Sequence, residues 1–443
     1  MKFSFVIFFN LLVLNGVLFS LDKSKIEFDA NIRERFELWD GMNAKNYGDD
    51  SSKAIGSLDD KILYQRLIAG FVFHPDKSVN LSAHLQDSRA FGWSLRNSKE
   101  PDAFKIRAKN TERPYYIMNP GEEFFEIYDL YIEYKFIKNL SFKMGRQKIS
   151  YGDDRIFGPG EWGNTGRWTW DSLKVSYKDN SNFIDVFVGG TKIHEPKKIS
   201  IPFENTEFWG GGLYSHYELE KIGSIEPFYA IKKEGSADYA NTFNFTRQWL
   251  GSRLFSNDLN NFVYDFTFAK EFGDESGKSI DAYGMAAKLG YQFNNFKTKP
   301  LLALRESYAS GGKKTDSKIK TFDPIYGSKD KYYGWMNITS WSNLDDREIL
   351  TTFFPLKDIK IAMNYHWFYI PEPQDLVLLG TMKLKEGKDH LGNEFDIFTT
   401  YQVSKKIQLI GAFGYFVHGD LQPINNNNPK NASWFALQFL YYL

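Results

Sequence analysis

Cysteine is absent from the 443 residues, which excludes disulfides, thiol nucleophiles and thiolate metal sites and is compatible with an exported protein that needs no oxidative stapling. Net charge is absent as well, because 55 basic residues balance 55 acidic ones. No global field draws the chain to nucleic acid, so attraction for a charged solute has to come from local segregation of charge. Beyond Leu21 no stretch approaches the roughly 20 apolar residues of a spanning helix. A membrane location for the mature chain must therefore be built from strands. Catalytic signatures are missing too. His74, His84, His194, His216, His366, His390 and His418 are scattered without His-x-x-x-His or related metal spacing, and neither a Gly-x-Ser-x-Gly elbow nor a P-loop occurs. Each histidine reads as a lumen or interface side chain with a hydrogen-bond partner. Asp49, Asp50, Asp153 and Asp154 lack the twelve-residue calcium-loop pattern. The expectation is a non-enzyme with no catalytic residue, no cofactor and no metal site.

Aromatics are abundant: 40 Phe, 26 Tyr and 11 Trp make up 17% of the chain, while mean hydropathy is negative at -0.44. A membrane barrel accommodates that combination by spreading aromatics over its lipid face and two interfacial girdles. The N-terminus reads as an export signal over residues 1–20, with Lys2 as a positive start and an apolar run from Phe3 to Phe19. The mature chain, residues 21–443, shows no linker or composition break and is expected to be one domain. At its far end, Phe435, Leu437, Phe439, Tyr441 and Leu443 share one parity of an extended segment, as on a strand facing lipid.

The same period of two recurs along the chain. Between Ile26 and Leu38 one parity carries Ile26, Phe28, Ala30, Ile32, Phe36 and Leu38, and the other carries Glu27, Asp29, Asn31, Arg33, Arg35 and Glu37. Segments 126–136, 282–293, 359–369 and 393–403 repeat this pattern. With further segments of about ten residues, it predicts about 18 strands, joined alternately by short turns such as 74–78 and long loops such as 41–60, 96–122 and 310–331. The fold class is all-β: a transmembrane, antiparallel, up-and-down β-barrel with infolded loops.

The stretch GRQKISYGDDRIFGPGEWGNTGRWTWD, from Gly145 to Asp171, breaks the pattern. Five glycines from Gly152 to Gly166 argue against a regular strand, and the interleaved ionic and aromatic side chains suit a loop folded into the lumen. This run resembles the signature of the alginate export family of outer-membrane channels, an 18-stranded barrel family. LQDSRAFG at Leu85 to Gly92, YQRL at Tyr64 to Leu67, DKYYGWMN at Asp330 to Asn337 and DHLGNEFDI at Asp389 to Ile397 extend the similarity over most of the chain. The resemblance implies a pore lined by basic residues that conducts an anionic polysaccharide. By motif match the lining would include Arg66, Arg89, Arg146, Arg155 and Arg167, with Asp153 and Asp171 as pairing carboxylates; Trp162 sits among them. Strand parity adds Arg33, Arg35 and Arg305. Arg146 shares the parity of the apolar Leu140, Phe142 and Met144, so it reaches the pore through a bulge at Gly145 or an end of the strand just before Arg146, and otherwise snorkels at the interface.

The sequence therefore reads as a passive channel in the outer membrane of a Gram-negative bacterium, surrounded by lipid and passing an anionic carbohydrate or small anionic solute. Periplasmic export partners are unspecified. A general or small-organic-acid porin, an arginine ladder that only rigidifies the wall, a barrel-anchored adhesin or receptor, and an outer-membrane lipase or protease are the alternatives.

Overall fold

In the computed structural model, residues 25–42, 60–92, 105–106, 115–116, 123–164, 168–192, 199–204, 206–234, 244–328, 332–374, 382–423 and 429–443 are described. The expected signal segment and Arg167 lie outside these residues. The wall consists of β1 (Ile26–Asp40), β2 (Asp60–Asp76), β3 (Val79–Gly92), β4 (Glu123–Ile137), β5 (Leu140–Lys148), β6 (Thr169–Asp179), β7 (Asn182–Lys192), β8 (Thr206–Leu219), β9 (Gly223–Glu234), β10 (Phe245–Leu259), β11 (Phe262–Glu275), β12 (Lys278–Gln292), β13 (Leu301–Ala309), β14 (Leu344–Leu356), β15 (Ile359–Tyr369), β16 (His390–Gln402), β17 (Ile407–His418) and β18 (Ala432–Tyr442). Each strand pairs antiparallel with its sequence neighbours, and β18 returns to β1 with Asn31 opposite Tyr442 and Asp40 opposite Ser433. The 18-stranded sheet is closed. Closure removes the unpaired edge that hydrocarbon cannot solvate.

Long connections gather at one mouth and tight turns at the other. One exception stands at the long-loop mouth, where Ser276 and Gly277, both at positive φ, join β11 directly to β12. A two-residue turn of that handedness matches strand twist.

Alternation along each strand sorts the side chains. Phe28, Leu289, Leu304 and Leu437 point outward and are exposed, whereas Arg33, Arg35, Glu226, Glu348 and Gln438 point inward and are buried. An inward strand face can be polar because the lumen side is shielded from lipid.

Among the described residues, two connections pack inside the lumen. Residues 149–164, between β5 and β6, run beside residues 322–328 of the connection between β13 and β14, with the Gly158 N–H donating to the Tyr326 carbonyl (3.1 Å), Tyr326 to Ile156 (3.2 Å) and Ser328 to Asp154 (2.9 Å). Their aromatics pack on the inner wall: Tyr151 stacks on Tyr214 at 4.6 Å, and Tyr326 meets Trp170 at 4.7 Å. The wall leaves space for them with glycine. A Cβ on Gly210 would stand 2.2 Å from the Tyr326 hydroxyl, and one on Gly212 would stand 2.6 Å from Phe157. The apolar core of this protein thus lies inside the cylinder.

Candidate functional site

The infolded loops leave a cavity of about 140 Å³ against the wall, lined by Asp153, Arg155 and Tyr332 from the loops and by Arg253, Asp265, Lys288 and Arg305 from β10 to β13. Asp265, Lys288, Arg305 and Glu348 stand directly opposite one another on β11, β12, β13 and β14, so register alone lines them up across the inner face. Two of the cations are tied down. Arg253 makes a bidentate pair with Asp265 (2.9 and 2.8 Å) and a further bond to Glu226 (3.0 Å), and Arg305 donates to Glu348 (2.5 Å).

Arg155 sits in an aromatic cage. Its guanidinium lies 4.1 Å from the Tyr332 ring centre and 5.3 Å from that of Trp341, donates to the Tyr333 hydroxyl (2.7 Å) and stands 3.6 Å from Asp153. Burial raises both Tyr332 and Tyr333 above the ordinary phenol range, so both remain protonated. The Tyr332 hydroxyl donates to the Asp153 carbonyl, which fastens the second loop to the first. Lys288 differs from these groups: it makes no ion pair among the described residues. The lining holds four cations and two carboxylates, Asp153 and Asp265, and Glu226 and Glu348 pair with Arg253 and Arg305 from just outside it.

A second basic group lies where residues 161–164 cross β1 and β2. Arg33 donates to the carbonyls of Glu161 (2.8 Å) and Gly163 (3.0 Å) and to the Asn164 side chain (3.0 Å), all of them uncharged acceptors. Arg35 pairs with Glu37 (2.7 Å), donates to the Trp162 carbonyl and stacks 4.3 Å from the Trp162 ring. Arg66 is buried beside them without an ion pair among the described residues. Trp162 in turn meets Trp335 (5.3 Å), Phe398 (5.6 Å) and Trp434 (5.9 Å), an aromatic patch that holds this loop to the wall.

The remaining sequence-predicted residues sit elsewhere. Arg146 and Asp171 form a bidentate pair (2.8 and 2.9 Å), and both are 0% exposed. The pairing of β5 with β4 and β6 runs through Gly145 without a register shift, although Gly145 itself has φ +127°. Arg146 stands opposite Leu130, an exposed wall residue, and Asp171 shares the parity of exposed Leu173, Val175 and Tyr177. The pair is sealed by residues 199–204: the Ser200 carbonyl accepts from Arg146 (2.7 Å), and the Phe203 N–H donates to Asp171 (3.0 Å). Ile201 and Phe203 are exposed on that segment. The segment thus covers an ion pair on the lipid-side parity of the wall, and neither the bulge nor the snorkelling geometry expected from sequence occurs. Arg89 pairs with Asp87 (2.6 Å) on the parity of exposed Leu85.

Motif reading misses Arg253 and Lys288, which belong to no recognisable motif. Their signal is inward strand parity combined with register, and register is a property of the folded sheet.

A search among curated proteins returns no sequence match. The architecture is similar to solved porin-like barrels: OccAB3 of Acinetobacter baumannii (12% identity, 95% of this chain and 99% of that one, TM-score 0.60), OccAB2 of the same organism (10%, 94% and 98%, 0.60) and OpdQ of Pseudomonas aeruginosa (10%, 95% and 98%, 0.58). At these identities the likeness is one of fold. Because the Alginate export family profile matches residues 25–433, this outer-membrane barrel belongs to the alginate export family.

Proposed function

We propose that the chain is a passive channel for anionic solutes, with carboxylate-bearing sugars as the favoured class, and that the cavity between the infolded loops and β10 to β13 is its filter. The observation that carries this reading is Lys288, a cation of that lining that makes no ion pair among the described residues, whereas Arg253 and Arg305 are held by Asp265, Glu226 and Glu348. A guanidinium or ammonium in a narrow lumen attracts an anion strongly because little water screens it there, and a solute leaves again when no single contact dominates. Arg33, Arg35 and Arg66 form a second basic group on β1 and β2, buried beneath residues 161–164. Arg33 spends its donors on neutral oxygens, so its charge remains to act on a passing anion. The family description, Alginate export, supports a uronate polymer as one candidate solute.

The test is the reversal potential in planar bilayers under a salt gradient. Wild-type protein is expected to prefer anions. Lys288→Gln removes one charge, and a unit charge about 8 Å from the path at an effective dielectric constant of about 40 is worth roughly 1 kcal/mol, about fivefold in the permeability ratio. An unchanged ratio in Lys288→Gln and in Arg155→Ala overturns the assignment of the filter to this cavity.

A further inference from the structure

On the outer face of the wall, at the long-loop mouth, β12 outlasts its neighbour. Its pairing with β13 begins at Gly284 opposite Ala309, and residues 278–283 continue past that point. The connection that leaves β13 takes up the free edge: the Ser310 N–H donates to the Tyr283 carbonyl (2.9 Å), the Ile319 N–H to Ser279 (2.9 Å) and the Asp281 N–H to Ile319 (2.8 Å). Ile280 and Ala282 are buried on the inward face, so Asp281 between them faces outward. The same pairing of Ile319 holds Lys318 beside it.

Asp281 there holds two ammonium groups. Lys270, on the parity of exposed Phe268 and Phe272, donates to Oδ1, and Lys318 donates to Oδ2 (3.1 Å). The three side chains stay open to the surroundings, with Lys270 41%, Asp281 44% and Lys318 51% exposed. Neither lysine pairs with another carboxylate among the described residues, so the trio carries one positive charge in excess. Of the other outward carboxylates, Asp274 accepts the Gly277 N–H at the hairpin tip (3.1 Å) and Glu306 stands opposite Arg347. The segment KKTDSKIK, Lys313 to Lys320, adds four lysines against Asp316, which pairs with Lys320 (3.5 Å), while Glu372 lies 3.8 Å from Lys313. Toward the midplane follow Tyr283 and Tyr308, stacked at 5.6 Å, Phe268 at 6.5 Å from Tyr283, and then exposed Met285, Leu289 and Leu304. Lysines just above an aromatic girdle and an apolar belt stand at the depth of lipid headgroups.

We propose that Lys270 and Lys318 bind a phosphate of a phosphorylated glycolipid headgroup, with Asp281 holding the two ammonium groups side by side and Phe268 and Tyr283 meeting the acyl chains beneath. Long loops of an outer-membrane barrel face the cell exterior, so the lipid at this rim belongs to the outer leaflet, whose glycolipid carries phosphates on its sugars. Charge complementarity supplies one argument for that occupant, and continuity with the lipid-facing belt supplies the other. A solute on its way through the lumen does not reach the trio, because Asp281 points away from the face that carries Lys288. Sequence spacing gives no hint of the site, since Lys318 arrives by loop pairing and Lys270 by register.

Retention of lipid A, a bisphosphorylated acyl-glucosamine disaccharide, by the folded barrel in nonionic micelles tests the proposal, read by native mass spectrometry with folding checked by heat-modifiable gel mobility. Wild-type protein should hold the lipid. Lys270→Gln and Lys318→Gln should each weaken its apparent affinity about fivefold, and together about 30-fold, the effect of one and two lysines at a charged lipid surface. Lys405→Gln, in the turn at the opposite mouth, should leave it unchanged. Lipid A stripped of its phosphates should bind wild-type protein as weakly as intact lipid A binds the double variant. Equal affinity of wild type and folded double variant overturns the proposal, and so does equal affinity for the dephosphorylated lipid. Displacement of the lipid by an equal concentration of inorganic phosphate would reveal a site for free anions and overturn the assignment to lipid.

Discussion

Arg146 shows how much a single residue's role depends on what covers it. Its motif places it with a pore, its parity places it with lipid, and Asp171 with residues 199–204 encloses it completely. Removing one member of a buried ion pair leaves an uncompensated charge and costs about 3 to 5 kcal/mol. Asp171→Ala is therefore expected to lower the urea midpoint of unfolding while leaving ion selectivity unchanged, as read by tryptophan fluorescence and reversal potential. A selectivity change without loss of stability would place the pair on the conduction path. Lys288 should show the converse: it makes no ion pair among the described residues, so Lys288→Gln alters selectivity with little effect on the midpoint. Gly210 represents a third kind of residue, required for its lack of volume. Gly210→Val drives a side chain into the Tyr326 hydroxyl, so it should loosen the loop and raise single-channel conductance. Conductance equal to wild type would show that Tyr326 accommodates the substitution without moving the loop.

Among elements, the strands and the infolded loops obey different physics. A strand's two faces are set by the pleat, so period two in sequence becomes lipid outside and lumen inside wherever pairing is regular. Inward positions such as Lys288, His366, Glu394 and Asp396 are visible in that pattern without any structure. The loops have no such periodicity. Residues 149–164 are recognisable as unusual from their glycines and aromatics, but their parallel pairing with the 322–328 segment joins positions more than 160 residues apart. Deleting residues 332–342 should enlarge the lumen and weaken anion preference, because Tyr332, Tyr333 and Trp341 cage Arg155. Conductance at or below the wild-type level would mean that this loop does not narrow the path.

For the whole molecule the governing constraint is closure. Every one of the 18 wall strands is paired on both sides, and the apolar outer belt exposes Leu437 near the middle of β18. Arginine at a bilayer-facing midplane position of a barrel costs about 2 to 4 kcal/mol. Leu437→Arg should therefore lower folding stability in lipid vesicles by about that amount. Gln438→Arg, on the lumen side, should cost less because that face does not meet hydrocarbon. Equal losses would argue that β18 does not present its 435, 437 and 439 parity to lipid.

The sequence by itself determined the strand count, the alternation of long and short connections, the closed barrel and the two faces of each strand, because all of these follow from local periodicity and from the need of membrane-buried backbone to pair. Only the tertiary structure decided which charges meet. Register sets Asp265, Lys288, Arg305, Glu348 and His366 side by side, loop folding surrounds Arg155 with tyrosines, and residues 199–204 hide Arg146. Those neighbours lie far apart along the chain. Electrostatic roles depend on distance and on the exclusion of water, and neither quantity is encoded in spacing along the sequence.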